Sequence, residues 1–364
     1  MRLFTFNFNR GSGRRSLGAV LGVFGLSFIV VTALGEIFLA HLPANQGWQG
    51  SVPEPPVSCP SIVSEAYSDH SDIYDMVYYG LGDLGQNARK ADILLLGNSR
   101  VLFAFRHQIV RDFTNATGLK VFNLSFLAGD GMTMAMDTIR RQRLAPAVVV
   151  VNEDDFFTSK IGPYGEDTIS KGRWRAWVSL IENRLSWFAR LELHRWFPRF
   201  GICGNYSPVP YVFYQCRDDG CLVLNNFPSL RIPFHPGKRI TLANPTQEET
   251  QMALEFKREM DLRGTKVIFT NIPFGADSPE GAKSSSAGIF HRFRVPDNLK
   301  PYHLAIPLAQ QLNVPFLAPH LGEITTYDGN HMNPDSADLF AYEFFKEFLK
   351  LPFVKSLKVN SSGK

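Results

Sequence analysis

Short apolar runs recur along the chain between residues 93 and 317, and longer segments of mixed polarity separate them. The clearest run is AVVVV at 147–151, which is apolar at every position. A strand that is covered on both faces of a parallel sheet has this pattern. Short, largely apolar runs predict strands at 93–96, 120–124, 147–151, 266–270 and 314–317. The intervening segments predict helices at 132–143, 246–263, 301–312 and 334–349.

Strands that alternate with helices indicate an α/β fold, in which a central parallel sheet carries helices on both faces. Because crossovers between parallel strands are right-handed, the carboxyl ends of the strands lie at one edge of the sheet. Ligands bind along that edge in folds of this type. Ser99, Gly129 and Asn152 follow the first, second and third predicted strands. We therefore expect these three residues to line one crevice.

Residues 156–245 interrupt the alternation as a long insertion between the third strand and the next helix. Its segment RWRAWVSLIENRLSWFARLELHRWF has aromatic and aliphatic residues at helical spacing, with arginines scattered among them. Three interpretations stay open. The segment is a helix packed on the core with a solvated basic side, a basic amphipathic helix on a membrane surface, or a lid whose aromatic rings stack on sugars.

The N-terminal region predicts a membrane anchor. The segment 16–35 has no charged residue and is long enough to cross the hydrocarbon core as a helix. Arginines precede it and the first acid, Glu36, follows it, so the positive-inside bias places the rest of the chain outside the cytoplasm. A cleaved signal peptide is the alternative. The predicted organisation is a cytoplasmic tail at 1–15, a single inner-membrane anchor at 16–40, a linker at 41–60, a periplasmic or other extracytoplasmic domain at 61–355 and a disordered tail at 356–364.

Charge and cysteine content narrow the function further. The formal net charge of +4 equals the contribution of Arg2, Arg10, Arg14 and Arg15, so the remaining chain is neutral. A neutral folded part argues against nucleic-acid binding. The cysteines follow the predicted anchor, where they form either disulfides or buried thiols; they are Cys59, Cys203, Cys216 and Cys221. Their spacing is not that of a zinc site, and we expect neither a metal nor a cofactor.

Two short motifs carry candidate chemistry. Gly97-Asn98-Ser99 follows the first strand, and Asp328-Gly-Asn-His331 lies in a loop before the last helix. A carboxylate that holds one imidazole nitrogen leaves the other to accept the proton of a serine, which is a weak nucleophile by itself. The structural alternatives are a helix-capping role for Ser99 and an ordinary surface turn for Asp328 and His331.

These motifs resemble the sequence blocks of the SGNH (GDSL-like) hydrolases. Gly97-Asn98-Ser99 is similar to the first block, 123–130 to the second, Asn152 to the third and 328–331 to the fifth. The resemblance covers roughly residues 90–155 and 265–350, and it leaves the insertion unexplained. It implies a flavodoxin-like three-layer α/β/α sandwich.

The resemblance also implies a role for each site residue. Ser99 would be the nucleophile, His331 the base and Asp328 the residue that orients it. The backbone N–H of Ser99, the backbone N–H of Gly129 and the side-chain amide of Asn152 would form the oxyanion hole.

The chain departs from the usual SGNH blocks at two places. Asn152 is followed by Glu153 within Val-Val-Asn-Glu, where the family usually has Gly-x-Asn-Asp. Asn98 takes the place of the usual aspartate of the first block, and Arg100 follows the serine. This variant resembles the membrane-anchored branch of the superfamily, and it is similar to the D-alanine transfer protein of teichoic acid modification and to alginate O-acetylation proteins.

The resulting hypothesis is a membrane-anchored SGNH-type enzyme that transfers or hydrolyses an O-acyl ester, expected to be acetyl, on a cell-surface or exported polysaccharide. Its expected partners are the acylated polysaccharide or acyl donor and a multi-spanning membrane acyltransferase. One alternative is a tethered esterase or lipase that acts on lipid or small esters. Another is a non-catalytic scaffold that keeps the fold and binds glycan or an acyltransferase.

Overall fold

A computed structural model describes Leu26, Val30 and residues 70–126, 129–153, 156–196, 213–216, 219–225, 232–233, 245–272, 305–319, 325–326 and 331–361. The helices in these segments are α1 His70–Tyr79, α2 Gly82–Arg89, α3 Ser99–Ala104, α4 His107–Thr117, α5 Met132–Gln142, α6 Pro163–Trp196, α7 Gln247–Leu262, α8 Ala305–Leu312, α9 Pro334–Phe348 and α10 Pro352–Ser361. The strands are β1 Ile93–Gly97, β2 Val121–Ser125, β3 Val148–Asn152, β4 Phe213–Cys216, β5 Leu222–Asn225, β6 Ile232–Pro233, β7 Lys266–Thr270, β8 Phe316–Leu317 and β9 Thr325–Thr326.

Five strands form one parallel sheet in the order β2-β1-β3-β7-β8. Leu95 of β1 pairs with Asn123 of β2 on one side and with Val150 of β3 on the other. From β1 the chain first forms β2 on one side of β1, and it then crosses back to form β3 on the opposite side. This reversal opens a crevice between the carboxyl ends of β1 and β3, where doubly wound sheets bind ligands. The predicted parallel sheet with helices on both faces is confirmed.

Alternate strand residues face two separate cores, because successive side chains of a strand point to opposite faces. Leu94 and Leu96 lie in a first core that includes residues of α1, α2, α5, α6, α7 and α8. Ile93 and Leu95 lie in a second core that includes residues of α3, α4, α9 and α10. The described residues therefore form three layers, with the sheet between two helical layers.

Phenylalanine rings dominate the second core. Phe105, directly after α3, packs edge-on against Phe344 and Phe345 of α9, with ring centroids 5.1 and 5.7 Å apart. Phe113 of α4 stacks on Phe345 at 4.1 Å. Such aromatic pairs stabilise a core beyond the area that they bury. The cluster holds α9 beside α3 and so joins two segments that are distant in sequence.

The predicted strands agree with β1, β2, β3, β7 and β8 to within two residues at each end. Helices α1 to α4 were not predicted. The disordered tail predicted at 356–364 is wrong for 356–361, which are helical in α10. The physical reason is that Val354 is buried in the second core, and that Phe353 and Leu357 pack against it.

The insertion begins with α6, which bends at Gly172, a residue with a left-handed φ of 72°. Beyond the bend, Ala176, Trp177 and Leu180 are buried in the first core. This part of α6 thus packs on the core, as one of the three interpretations expected. The turn between β4 and β5 docks on the outer strand of the sheet, since Asn123 N–H donates to the carbonyl of Asp219 at 2.8 Å.

A buried ion pair joins α1 to α6, and its loss is expected to destabilise the protein. Lys171 lies 3.1 Å from Asp75, whose side chain is only 1% exposed. Thr168 also donates to Asp75 at 3.0 Å. Removing one partner leaves a buried charge without compensation, so Lys171→Met should lower the free energy of unfolding by about 3 kcal/mol in urea denaturation at pH 7.

The pH dependence of that loss provides a second readout. Burial raises the pKa of Asp75, and Lys171 opposes this rise. When the pKa of a carboxyl is higher in the folded than in the unfolded state, stability falls as the pH rises through the window between the two pKa values. Without Lys171 the folded-state pKa of Asp75 rises further and this window widens. The loss of stability caused by Lys171→Met should therefore be larger at pH 8 than at pH 5. Lys257→Met, in an exposed pair with Asp261, should change stability by less than about 0.5 kcal/mol; an equal effect of both variants contradicts the prediction.

No helix among the described residues is long and apolar enough to cross a membrane. Apart from Leu26 and Val30, the predicted anchor at 16–40 lies outside these residues, as do the tail at 1–15 and the linker at 41–60. The anchor and the domain boundaries that depend on it stay predictions.

Candidate active site

Ser99 is the first residue of α3, at the point where the chain leaves the carboxyl end of β1. The turn depends on Gly97, which has a φ of 151°. A Cβ on Gly97 would lie 2.5 Å from Val101 Cγ2 and 3.0 Å from the Cβ of Asn152. The absence of a side chain at Gly97 therefore lets helix α3 start against the end of β3.

The N-cap of α3 is Asn98 and not Ser99. Asn98 has an extended backbone, and its Oδ1 accepts a hydrogen bond from the backbone N–H of Arg100 at 3.0 Å. This bond satisfies one N–H of the first helical turn, as a cap does. The capping role that the sequence left open for Ser99 is thus filled by its neighbour.

His331 lies next to Ser99. The imidazole Nε2 is 2.8 Å from the hydroxyl Oγ of Ser99, across 232 residues of sequence. The ring is buried, at 8% exposure, and it packs against Phe103 of α3 with centroids 4.6 Å apart. His331 precedes α9, so the aromatic cluster that holds α9 beside α3 also brings the imidazole to the serine.

Asn152 ends β3 and is fully buried. Its Oδ1 accepts a hydrogen bond from the backbone N–H of Ile272, just beyond β7, at 3.0 Å. With the oxygen used in this way, Nδ2 is the donor end of the amide. The buried guanidinium of Arg100 reaches the carbonyl of the same residue, Ile272, at 3.5 Å. Residue 272 thus links the helix of Ser99 to the strand of Asn152.

Gly129 follows β2 at the same edge of the sheet, with a φ of 97° and an exposed backbone. Its neighbour Asp130 is buried and accepts hydrogen bonds from the backbone N–H groups of Gly162 and Gly165. Sequence analysis placed Asp130 in a motif block but gave it no role. The Gly-Pro-Tyr-Gly segment at 162–165 was the signal for these contacts, although it was not recognised as one.

The predicted site residues thus have different outcomes. Ser99 and His331 are in contact. Asn152 ends β3, and Gly129 lies four residues beyond the end of β2; these two strands flank β1. Asp328 lies outside the described residues, so its orienting role stays a prediction. Within the described ranges, no group of three or more His, Cys, Asp or Glu side chains is arranged to hold a metal ion.

The contact between a serine hydroxyl and an imidazole permits nucleophilic chemistry. A neutral imidazole with its lone pair on Nε2 accepts the hydroxyl proton and turns the oxygen into an effective nucleophile. Hydrogen-bond donors at the ends of neighbouring strands can stabilise the negative charge that then develops on a carbonyl oxygen. This combination is typical of acyl transfer to a serine.

No protein-family model matches the chain, and no curated protein matches it. Among solved structures, the chain is similar to a GDSL-like lipase from Bacteroides thetaiotaomicron VPI-5482, with 14% sequence identity and a TM-score of 0.30, over 79% of this chain and 98% of that one. It is also similar to a proposed acylhydrolase from Bacteroides fragilis NCTC 9343, with 13% identity and a TM-score of 0.30, over 73% of this chain and 93% of that one. The functional proposal below therefore rests on the side chains of the site.

Proposed function

We propose that the protein is an SGNH-type serine enzyme that cleaves or transfers O-acyl esters. The observation that carries this proposal is the 2.8 Å contact between Ser99 Oγ and His331 Nε2 at the carboxyl edge of the parallel sheet. The position of Asn152 at the end of the adjacent strand supports it. The motif order that resembles the SGNH hydrolases supports it as well.

In the proposed mechanism, His331 Nε2 takes the hydroxyl proton as Ser99 Oγ bonds to the ester carbonyl carbon. The carbonyl oxygen becomes an oxyanion, which accepts hydrogen bonds from the N–H groups of Ser99 and Gly129 and from Asn152 Nδ2. The carbon–oxygen bond to the leaving alcohol then breaks, and His331 returns the proton to that alcohol. Asp328 would hold the second imidazole nitrogen of His331 through these steps.

The acyl-enzyme then reacts with a second nucleophile. His331 removes a proton from water or from a sugar hydroxyl, whose oxygen attacks the acyl carbon. The bond between that carbon and Ser99 Oγ then breaks, and His331 returns the proton to Oγ. Exclusion of water around the acceptor favours transfer over hydrolysis.

We further propose a membrane-anchored, extracytoplasmic enzyme that acts on acetyl groups of a polysaccharide, with a multi-spanning acyltransferase as its partner. This finer assignment rests on the apolar segment 16–35 and on the resemblance of the Gly-Asn-Ser-Arg motif to the membrane-anchored branch of the SGNH superfamily.

A labelling experiment tests the proposal. The full-length protein is incubated with a fluorophosphonate, and the modified peptide is identified by mass spectrometry. We expect one adduct, on Ser99, and protection by an excess of 4-nitrophenyl acetate. A folded protein that is never labelled at Ser99 and never turns over an ester contradicts the proposal.

Substrate assays separate the finer alternatives. Release of acetate from an O-acetylated polysaccharide indicates an esterase, and acetylation of the deacetylated polysaccharide by 4-nitrophenyl acetate indicates a transferase. Rates that rise with the chain length of 4-nitrophenyl esters instead favour a lipase.

The proposed donor role of Asn152 predicts a large effect of Asn152→Asp. Aspartate keeps an oxygen for the N–H of Ile272 but replaces the Nδ2 donor with a negative charge. Loss of one oxyanion donor lowers kcat by roughly 10²- to 10³-fold, and we expect at least this loss with little change in KM. Steady-state kinetics with 4-nitrophenyl acetate measure it. Asn115→Asp, on an exposed position of α4, is the matched control, and a folded Asn152→Asp enzyme with the kcat of this control refutes the donor role.

A further inference from the structure

Asp130 is adjacent to the proposed oxyanion donor Gly129, and its side chain is buried, at 3% exposure. Its carboxylate accepts hydrogen bonds from the N–H of Gly162 at 2.6 Å and of Gly165 at 3.2 Å. Tyr74 of α1 donates a further hydrogen bond to it. Donors from α1 and from the start of α6 therefore converge on one carboxylate.

The start of α6 is shaped to fit this carboxylate. A Cβ on Gly165 would lie 2.4 Å from Asp130 Oδ1, and a Cβ on Gly162 would lie 3.2 Å from the same oxygen. Any side chain at Gly165 would therefore displace the carboxylate. The two glycines allow the backbone N–H groups to approach Asp130 closely, as in other sites where a helix start binds an anionic group.

Gly162 also lies in close contact with the backbone of Gly129. A Cβ on Gly162 would lie 3.2 Å from the carbonyl carbon of Gly129, and a Cβ on Gly129 would lie 3.6 Å from the Cα of Gly162. Gly129 itself has a φ of 97°, which few residues other than glycine adopt. The hydrogen bonds that hold residues 162–165 on Asp130 therefore also restrict the backbone of Gly129.

We propose that Asp130 is a positioning residue that fixes the direction of the Gly129 N–H in the oxyanion hole by locking the first turn of α6 against Gly129. This inference rests on the proposed function and deepens it, because it makes the start of the insertion a part of the active-site wall. An oxyanion donor has to be in place before the reaction begins, and a misplacement of about 1 Å lowers the rate by roughly 100-fold.

The stability cost of Asp130 fits such a role. Burial raises the pKa of the Asp130 carboxyl, and the N–H groups of Gly162 and Gly165 oppose this rise only in part. The charged form therefore lowers the stability of the folded state as the pH rises through the window between the unfolded and the folded pKa. Ionisable groups that are buried at such a cost are frequent at functional sites.

Asp130→Asn tests the positioning role in the full-length protein. The amide keeps one acceptor oxygen and presents an NH₂ group to the second backbone N–H, so the turn loosens. With 4-nitrophenyl acetate we expect kcat to fall between about 10- and 100-fold, KM to change by less than about 3-fold, and fluorophosphonate to label every Ser99. The affinity for a boronic acid, whose serine adduct places an oxygen in the oxyanion hole, should fall in parallel with kcat/KM.

Two further variants make the result decisive. Gly165→Ala keeps the Asp130 carboxylate but displaces it, so this variant should lower kcat by a similar factor. If Asp130→Asn does not fold, Gly165→Ala serves as the test in its place. Glu166→Gln removes a charge from the same turn at an exposed position and should retain kcat within about 2-fold. If Asp130→Asn and Gly165→Ala lower only the melting temperature, with kcat per labelled site unchanged, the positioning role is refuted. If the wild-type protein shows neither labelling of Ser99 by fluorophosphonate nor turnover of 4-nitrophenyl acetate, the proposed function itself is refuted.

Discussion

Replacing Ser99 by alanine is expected to lower kcat for ester cleavage by roughly 10⁴- to 10⁶-fold while the protein stays folded. The loss should be this large because no acyl-enzyme forms without Oγ, and only the donors of the oxyanion hole remain to assist direct attack by water. The loss of stability should be limited to about 1–3 kcal/mol for the hydrogen bond to the buried His331, because the cap of α3 comes from Asn98 and not from Ser99. Steady-state kinetics and thermal unfolding of the same preparation measure both quantities.

The matched control for this prediction is Ser356→Ala. Ser356 lies on an exposed turn of α10, and its hydroxyl donates only within the helix, to the carbonyl of Phe353 at 2.6 Å. We expect the control to keep the wild-type kcat and to remain a substrate for fluorophosphonate. A Ser99→Ala protein with wild-type turnover assigns the ester chemistry to another nucleophile, and the proposed mechanism then fails.

The fold was predictable because its strands are buried on both faces. Parallel strands of this kind are continuous apolar runs; 93–96 and 147–151 are such runs, and 267–269 form the apolar centre of the strand at 266–270. The observed strands extend one residue further at Gly97 and Asn152, since backbone pairing continues after the apolar side chains end. Helix α1 was missed because it is rich in tyrosine and its stability comes from packing against α6, a segment almost 100 residues away.

The site was predictable only where its residues follow a strand or precede a helix. The order of the motifs was sufficient to pair Ser99 with His331. It was not sufficient to choose between Asn98 and Ser99 as the cap of α3, because both residue types cap helices and only the backbone angles separate them. The hydrogen bonds of Asp130 to Gly162 and Gly165 span 32 and 35 residues, so the Gly-Pro-Tyr-Gly pattern at 162–165 can indicate a close backbone approach but cannot identify Asp130 as the partner.

The second large effect is expected for His331→Ala, alone and combined with Ser99→Ala. Without the imidazole, the Ser99 hydroxyl keeps its proton at neutral pH, and kcat should again fall by roughly 10⁴- to 10⁶-fold. If the two side chains act as one unit across their 2.8 Å contact, the double variant should be no slower than either single variant within about 3-fold, since each change alone already removes the acyl-enzyme route. Independent contributions would instead multiply, and the double variant would fall below detection relative to the singles.

His107→Ala is the control for this cycle. His107 pairs with the carboxylate of Asp219 at 2.8 Å, but it lies at the start of α4 and contacts neither Ser99 nor Asn152 in the hydrogen bonds described. Its replacement should change kcat by less than about 2-fold. Multiplicative losses for Ser99→Ala and His331→Ala, or a loss for His107→Ala as large as that for His331→Ala, contradict a nucleophile–base unit.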